Sequence, residues 1–293
     1  MADLVQHWTE ARVAEVCWVG PTGPVGVPVV PLLLGGRPCA ALPYSTYDDV
    51  AHLGTAGVAA FAVTQVDGAD EAATGNGQGA AAADRQEAAP DPRAGGMVRE
   101  GAVAVGRVHV QHDVNGSLFL DDLVDQEIAK YPPTRRLAES AWAQREHWWW
   151  VGRMIVVLTA IEVERSLPAR NRSHDAVLVR DLGGRPAVDV VSAQGWPERK
   201  GPMDLFSRDG KLLEGRGGQA QAWGYNRSPG EERWELWHRD GHLDGEELRV
   251  TEAIGRPRGR LPALTPWAWF RHRRALARNC KRGIAMARAA TKS

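Results

Sequence analysis

Short apolar runs broken by turn residues divide the first part of this chain. Residues 15–19 read Glu-Val-Cys-Trp-Val, 25–34 are almost continuously apolar, and 39–42 are apolar again. Gly20-Pro-Thr-Gly-Pro24 and Gly35-Gly-Arg37 separate them. Strand-like runs joined by Gly/Pro turns at this spacing predict an antiparallel meander. A short amphipathic segment, Leu4 to Val13, precedes it. Asp48 to Leu53 has room for one or two helical turns, Val58 to Val66 is β-like, and strand pattern returns over Met97 to Gln111.

Asp121 to Lys130 predicts a helix with Leu123, Val124 and Ile128 on one side, stopped by Pro132-Pro133. A second helix is expected from Thr134 to near Trp148, with Leu137, Ala141 and Trp148 along one stripe. Met154 to Leu158 is continuously apolar and Ile161 to Glu164 alternates. That is the pattern of a strand buried on both faces that emerges at its end. At the junction stand Trp148, Trp149 and Trp150. Neighbours diverge by about 100° on a helix and point oppositely on a strand, so the three face at least two environments.

The second half repeats the style. Ala176 to Arg180, a Leu182-Gly-Gly-Arg185 turn and Ala187 to Val191 read as a hairpin, and 219–225, 233–237 and 247–253 supply further strands. Residues 175–193 follow the rhythm of 15–33, and 213–225 loosely that of 98–110. A degenerate repeat and an unrelated β extension both fit. His238-Arg-Asp-Gly-His242 would place two histidines on one helix face, as a zinc pair requires. Asp240-Gly241 is instead a strong hairpin signal after a strand, which favours a solvated hairpin tip.

Composition changes the picture at two places. Asp67 to Gly96 has almost no large apolar side chain and cannot repay its ordering entropy, so it is expected to be a disordered insertion within the first β unit. The formal net charge of +0 hides an asymmetry: Thr265 to Ser293 holds eight Lys/Arg and no Asp/Glu, leaving −8 on the remainder. This basic, helical C-terminus, opening with Trp267, Trp269 and Phe270, suits an anionic membrane surface or nucleic-acid phosphates. Docking within the chain, or on the acidic remainder of its own dimer, would equally balance the charge and is the favoured reading over an anionic partner.

Other classes are discouraged. No apolar run approaches 18 residues, so no membrane span is expected, and the polar N-terminus is unlike a secretory signal. Cys17, Cys39 and Cys280 are widely spaced and odd in number, which reads as three reduced thiols in a cytoplasmic protein. No Gly-x-Ser-x-Gly elbow, Gly-x-Gly-x-x-Gly, phosphate loop or CxxC pair occurs.

The first half resembles the FMN-binding split-barrel superfamily, the pyridoxamine 5′-phosphate oxidase-like proteins. The resemblance rests on EVCWVGPTGPVGVPVVPLLL (15–34) as an opening hairpin, AALPYSTYDDVAHL (40–53) as the next strand and short helix, and MVREGAVAVGRVHVQHD (97–113) as a strand ending at an acid. The KYPP excursion and a closing strand at 153–164 complete it. With the second β-rich region over 166–262 and the basic helix over 263–293 read from the residues above, the chain is expected to be mainly β (α+β); the resemblance, confined mainly to residues 10–165, implies a split-barrel domain over 1–165. It further implies a cytoplasmic homodimer that binds FMN or a deazaflavin in a groove between subunits, as an oxidoreductase acting on a small molecule. The groove residues by resemblance are Val29, Pro31, Leu42, Tyr44, Ser45, Thr46, His52 and Trp149; no catalytic residue and no metal ligand set is implied. Flavin-using members place Ser/Thr and a Lys or Arg near 42–53 for the cofactor phosphate, whereas Asp48 and Asp49 stand here. Arg37, Arg99 and Arg107 are the alternative cations. Two other readings therefore remain: a non-catalytic binding or assembly module that has lost the phosphate site, and a haem-binding relative using His52, His109, His112 or His147. For Trp148 to Trp150, core or interface packing competes with stacking on a planar ring in the groove.

Overall fold

A computed structural model describes residues 3–65, 100–139, 149–172, 175–213, 217–228 and 233–290. The insertion expected at 67–96 lies outside these residues, as do Trp148, His147 and Arg99. The chain is mainly β, with short helices and one long C-terminal helix.

Helix α1 (Leu4–Glu10) is capped by the Asp3 carboxylate, which accepts from the Gln6 amide. The first unit then runs through β1 (Ala14–Gly20), β2 (Gly23–Val29), β3 (Pro31–Leu34) and β4 (Arg37–Pro43), a single 3₁₀ turn at Tyr44–Thr46, and the one-turn helices α2 (Tyr47–Val50) and α3 (Leu53–Ala56). It continues with β5 (Val58–Val63) and β6 (Glu100–Asp113), a π-turn at Phe119–Leu123, α4 (Val124–Lys130), α5 (Pro132–Ala138) and β7 (Arg153–Pro168). All seven strands form one antiparallel sheet in the order β2-β1-β5-β6-β7-β4-β3.

The apolar run 25–34, expected to be one strand, is two. β2 and β3 lie at opposite edges of the sheet, yet only Val30 separates them. One residue spans about 3.5 Å, so the two edges must converge there and the sheet curls into a split barrel. Pro31 opens β3, where a missing N–H costs no ladder bond.

Alternation along the strands then sorts side chains between the inside and the outside of the barrel. Val16, Trp18, Val29, Leu42, Phe61, Met154, Val156 and Leu158 fill the interior, together with Leu4 and Trp8 of α1. The Trp8 indole donates to the Leu32 carbonyl at 2.9 Å, and its ring lies 5.0 Å from that of Phe61. Outside, Leu32, Cys39, Ile155 and Val157 meet Phe119, Leu123 and Trp150. The helix expected over 121–130 forms, but its buried residues are Leu123 and Glu127. Glu127 is drawn in by Arg153, 3.1 Å away and equally buried.

The second unit contains β8 (Ala176–Asp181), β9 (Pro186–Ser192), β10 (Gly201–Asp204), β11 (Phe206–Ser207), β12 (Gly218–Arg227), β13 (Trp234–Asp244) and β14 (Glu247–Ile254). Its sheet order is β10-β14-β13-β12-β8-β9-β11, which repeats that of the first sheet over six of the seven strands. Reading β9-β8-β12-β13-β14-β10 against β2-β1-β5-β6-β7-β4 matches six strands in sequence order as well as spatial order. A bulge recurs in equivalent strands, at Val105/Gly106 of β6 and Asp240/Gly241 of β13. At each, a Cβ on the glycine would overlap a facing carbonyl, that of Ala160 or Arg249. Asp240-Gly241 is therefore a bulge within β13 and not the expected hairpin tip; the turn falls at Gly245, whose φ is 59°. Strand-like β12 also corresponds to β5, where the sequence rhythm had paired 213–225 with 98–110.

The two sheets bury one another. Cys17, Ala60, Ala62 and Val103 of the first meet Val177, Val179, Val188 and Trp223 of the second. Trp223 is wholly buried, which removes about 200 Å² from water, a gross gain of about 5 kcal/mol. Its ring occupies the space a side chain at Gly26 would need. Beside it the Gly26 amide of edge strand β2 donates to Gln221 Oε1 at 3.0 Å. A buried cluster completes the junction: Glu15 Oε1 accepts from Arg170 Nη2 (2.6 Å), Thr64 Oγ1 (2.8 Å) and the Tyr225 hydroxyl (3.3 Å). The final element, α6 (Pro266–Ala290), returns to the first barrel.

Candidate functional site

The stretch singled out for cofactor contact follows directly from strand geometry. β4 ends at Pro43, and the 3₁₀ turn carries Tyr44 into the mouth of the barrel, where it is wholly buried. Its hydroxyl lies 3.2 Å from Nδ1 of His112 on β6, and Tyr47 closes the group with ring centroids 6.2 Å from Tyr44 and 6.1 Å from His112. Burial pushes the Tyr44 phenol up, with Asp113 and Tyr47 adding to it; partial desolvation of the ring draws His112 down, although much of that residue remains exposed. Both are therefore neutral near pH 7.

Helix α6 covers this turn. Cys280, Gly283 and Ala287, at i, i+3 and i+7, are its buried residues. Gly283 is backed so closely onto the Tyr44 carbonyl that a Cβ there would overlap it. Ile284 and Ala287 join the barrel's interior cluster. The Cys280 thiol is pushed up by burial and partly drawn back by the Arg153 charge and by the nearby polar groups of Ser45. Arg282 donates to Asp48 Oδ2 at 2.7 Å.

These contacts answer whether the stretch fits a flavin phosphate. The Thr46 hydroxyl is spent on the Pro43 carbonyl at 2.9 Å, and Ser45 lies half-buried beneath the Cys280 turn of α6. Arg282, the cation beside the turn, is neutralised by Asp48. Asp49, pushed up by burial and by Asp48, adds a second acid. Of the alternative cations, Arg37 begins β4 at its far end, about 20 Å away at 3.3 Å per residue. Arg107 is 3.9 Å from Glu162. A dianion would meet carboxylates and committed donors, so the residues present do not fit a phosphate at 44–46.

The structure divides the other expected groove residues. Val29 and Leu42 face the barrel interior with Tyr44. Pro31 is buried at the barrel's corner, its carbonyl accepting from Lys130 Nζ at 2.8 Å. Trp149 is half-buried at the edge of the outer cluster, and Trp150 lies within that cluster. His52 is exposed at the start of α3, its carbonyl accepting from the Thr55 and Ala56 amides. His109 is likewise exposed. His238 pairs with Asp240 at 3.0 Å, and among the described residues no group of three or more His, Cys, Asp or Glu is placed to hold a metal ion. A cavity of about 320 Å³ lies in the second unit, lined by residues including Glu198, Glu235, Arg256 and Arg258, and by none of the expected groove residues. Among the described residues no helix is long and apolar enough to cross a membrane.

Cys280, Gly283, Ile284 and Ala287 were not anticipated. Their signal was present: small residues at helical spacing in an otherwise basic helix mark a face that lies close against another backbone.

No protein-family model matches the chain, and no curated protein matches it significantly. Similar solved structures include a conserved hypothetical protein from Mycobacterium tuberculosis, at 12% identity and a TM-score of 0.36 over 58% of this chain and 87% of that one. A haem-binding protein from Mycobacterium smegmatis matches at 10% identity and a TM-score of 0.28, over 97% and 98% of the two chains. A pyridoxamine 5′-phosphate oxidase-related, FMN-binding protein from Nostoc punctiforme matches at 10% identity and a TM-score of 0.27, over 86% and 91%.

Proposed function

We propose that this chain is a tandem split-barrel binding module without redox chemistry, in which the segment suited to a flavin phosphate has become the seat of α6. The observation that supports this reading is the packing of Gly283 against the Tyr44 carbonyl, with Arg282 on Asp48 beside it. The Thr46 hydroxyl bonds the Pro43 carbonyl, Arg282 pairs with Asp48, and α6 stands against the turn where a phosphate would have to enter. The repeated strand order supports the tandem part of the reading: two copies of one architecture bury a common face within a single chain.

A second reading, haem binding, is favoured by His112. Its Nδ1 lies 3.2 Å from the Tyr44 hydroxyl, and its lowered pKa favours the neutral ring a metal requires, which leaves the outward Nε2 as the ligating atom. Titrating the purified protein with FMN, a deazaflavin and haemin, followed by absorption, separates the readings. The module predicts no saturable spectral change with any of the three. Stoichiometric flavin uptake overturns it, and a Soret band lost in His112→Ala selects the haem reading.

A further inference from the structure

The face of α6 opposite its docking stripe is also ordered. Trp267, Arg271, Arg274, Arg278, Lys281 and Ala285 recur at alternating steps of four and three residues, and all are exposed. The spacing keeps them in one row, about 15 Å long from Arg271 to Lys281 at 1.5 Å per residue. Arg282 pairs with Asp48, but among the described residues Arg271, Arg274, Arg278 and Lys281 form no ion pair. At the head of the row Trp267 is 65% exposed and stacks on Phe270, with centroids 5.8 Å apart at 22°. The Arg274 guanidinium lies 5.6 Å from the centroid of the Phe270 ring.

We propose that this row binds the backbone of single-stranded nucleic acid, with Trp267 stacking on an unpaired base. Three features favour that partner. The row is cationic along its length with no apolar centre, whereas the core of a protein interface is apolar and depleted of charge. Its apolar content is two rings at one end, too little to seat a helix in a bilayer interface. A basic track beside an exposed aromatic platform is the arrangement that holds single strands without sequence readout. The −8 carried by the remainder of the chain orients the approach, turning a polyanion toward α6 and away from the barrels. This inference does not depend on whether a cofactor is bound.

The test is fluorescence anisotropy of a labelled mixed-sequence DNA 20-mer against the full chain over a range of salt. Four neutralised phosphates predict a slope of log K on log[salt] of about −3 for a single strand. R271E/R274E/R278E should abolish binding, and Trp267→Ala should weaken it several-fold with the slope unchanged. These side chains are exposed, and circular dichroism checks that each variant is folded. The proposal is overturned by absence of binding at low salt, or by binding that survives the triple reversal. It is overturned too if the reversal releases the protein from anionic vesicles, or splits a dimer, while leaving oligonucleotide binding as it was.

Discussion

Replacing Gly283 with alanine should lower stability, against the usual sign. In an exposed helix interior Ala is favoured over Gly by about 0.8–1.0 kcal/mol. At 283 the added Cβ overlaps the Tyr44 carbonyl oxygen and lies 3.0 Å from the Tyr44 carbonyl carbon and from Tyr47 Cβ. Backbone cannot rotate out of the way as a side chain can, so α6 must lift. Overpacking of this kind costs about 1–3 kcal/mol. Subtracting the propensity gain leaves about 0–2 kcal/mol of net destabilisation. The loss should be local: amides of 276–290, and those around 44–46, should exchange faster while β5 and β6 keep their protection. Ala285→Gly, on the exposed side, is the control and should cost about 1 kcal/mol by propensity alone. Hydrogen exchange with mass spectrometry and thermal unfolding read both. If Gly283→Ala raises the melting temperature and leaves exchange at 44–46 unchanged, α6 does not sit on this turn.

Arg170→Met should cost about 3–5 kcal/mol in chemical denaturation, because it leaves the Glu15 carboxylate buried without its counter-charge. Burial raises Glu15 above 4.5 even though Arg170 and Thr64 draw it back. Its contribution is thus fully present below about pH 4.5 and lost as pH rises through the elevated value. The stability of the native chain relative to Glu15→Gln should therefore fall with rising pH in that window; a rise would contradict the assignment. Arg239, wholly buried, donates to the carbonyls of Pro197, His238, Ile254, Trp196 and Gly255. Arg239→Lys keeps the charge but cannot span the five, and should cost about 3 kcal/mol or more. Gly26→Ala should weaken the contact between the sheets, seen as a shift in Trp223 fluorescence and an earlier unfolding transition, since the new Cβ would overlap the Trp223 ring.

What could be read beforehand follows from range. The hairpins β1–β2 and β8–β9 are written in local signals, apolar runs closed by Gly-rich turns, and both formed. The corner at Val30 was invisible because residues on its two sides are equally apolar: one run serves two edges of a barrel, and only closure distinguishes them. Asp240-Gly241 misled for a specific reason. Glycine there is required by the approach of the Arg249 carbonyl at a bulge, not by a turn's positive φ. The contacts that hold the halves together join positions such as Glu15 and Arg170 or Gly26 and Gln221, which no local pattern relates. At the candidate site, the acids at 48 and 49 were legible as a misfit for phosphate. That the basic helix would dock on the acidic remainder was legible from charge; that it would answer Asp48 and seal this turn, more than two hundred residues earlier, was not.

The most direct test compares the affinities of FMN and riboflavin for the native chain, for Ser45→Ala and for Thr46→Val by fluorescence titration. The two ligands differ only in the phosphate, so their affinity ratio isolates any contact at 44–46. The account predicts no saturable binding of either ligand to the native chain, and no gain or loss of binding in either variant. A marked preference for FMN that Ser45→Ala or Thr46→Val abolishes would contradict it.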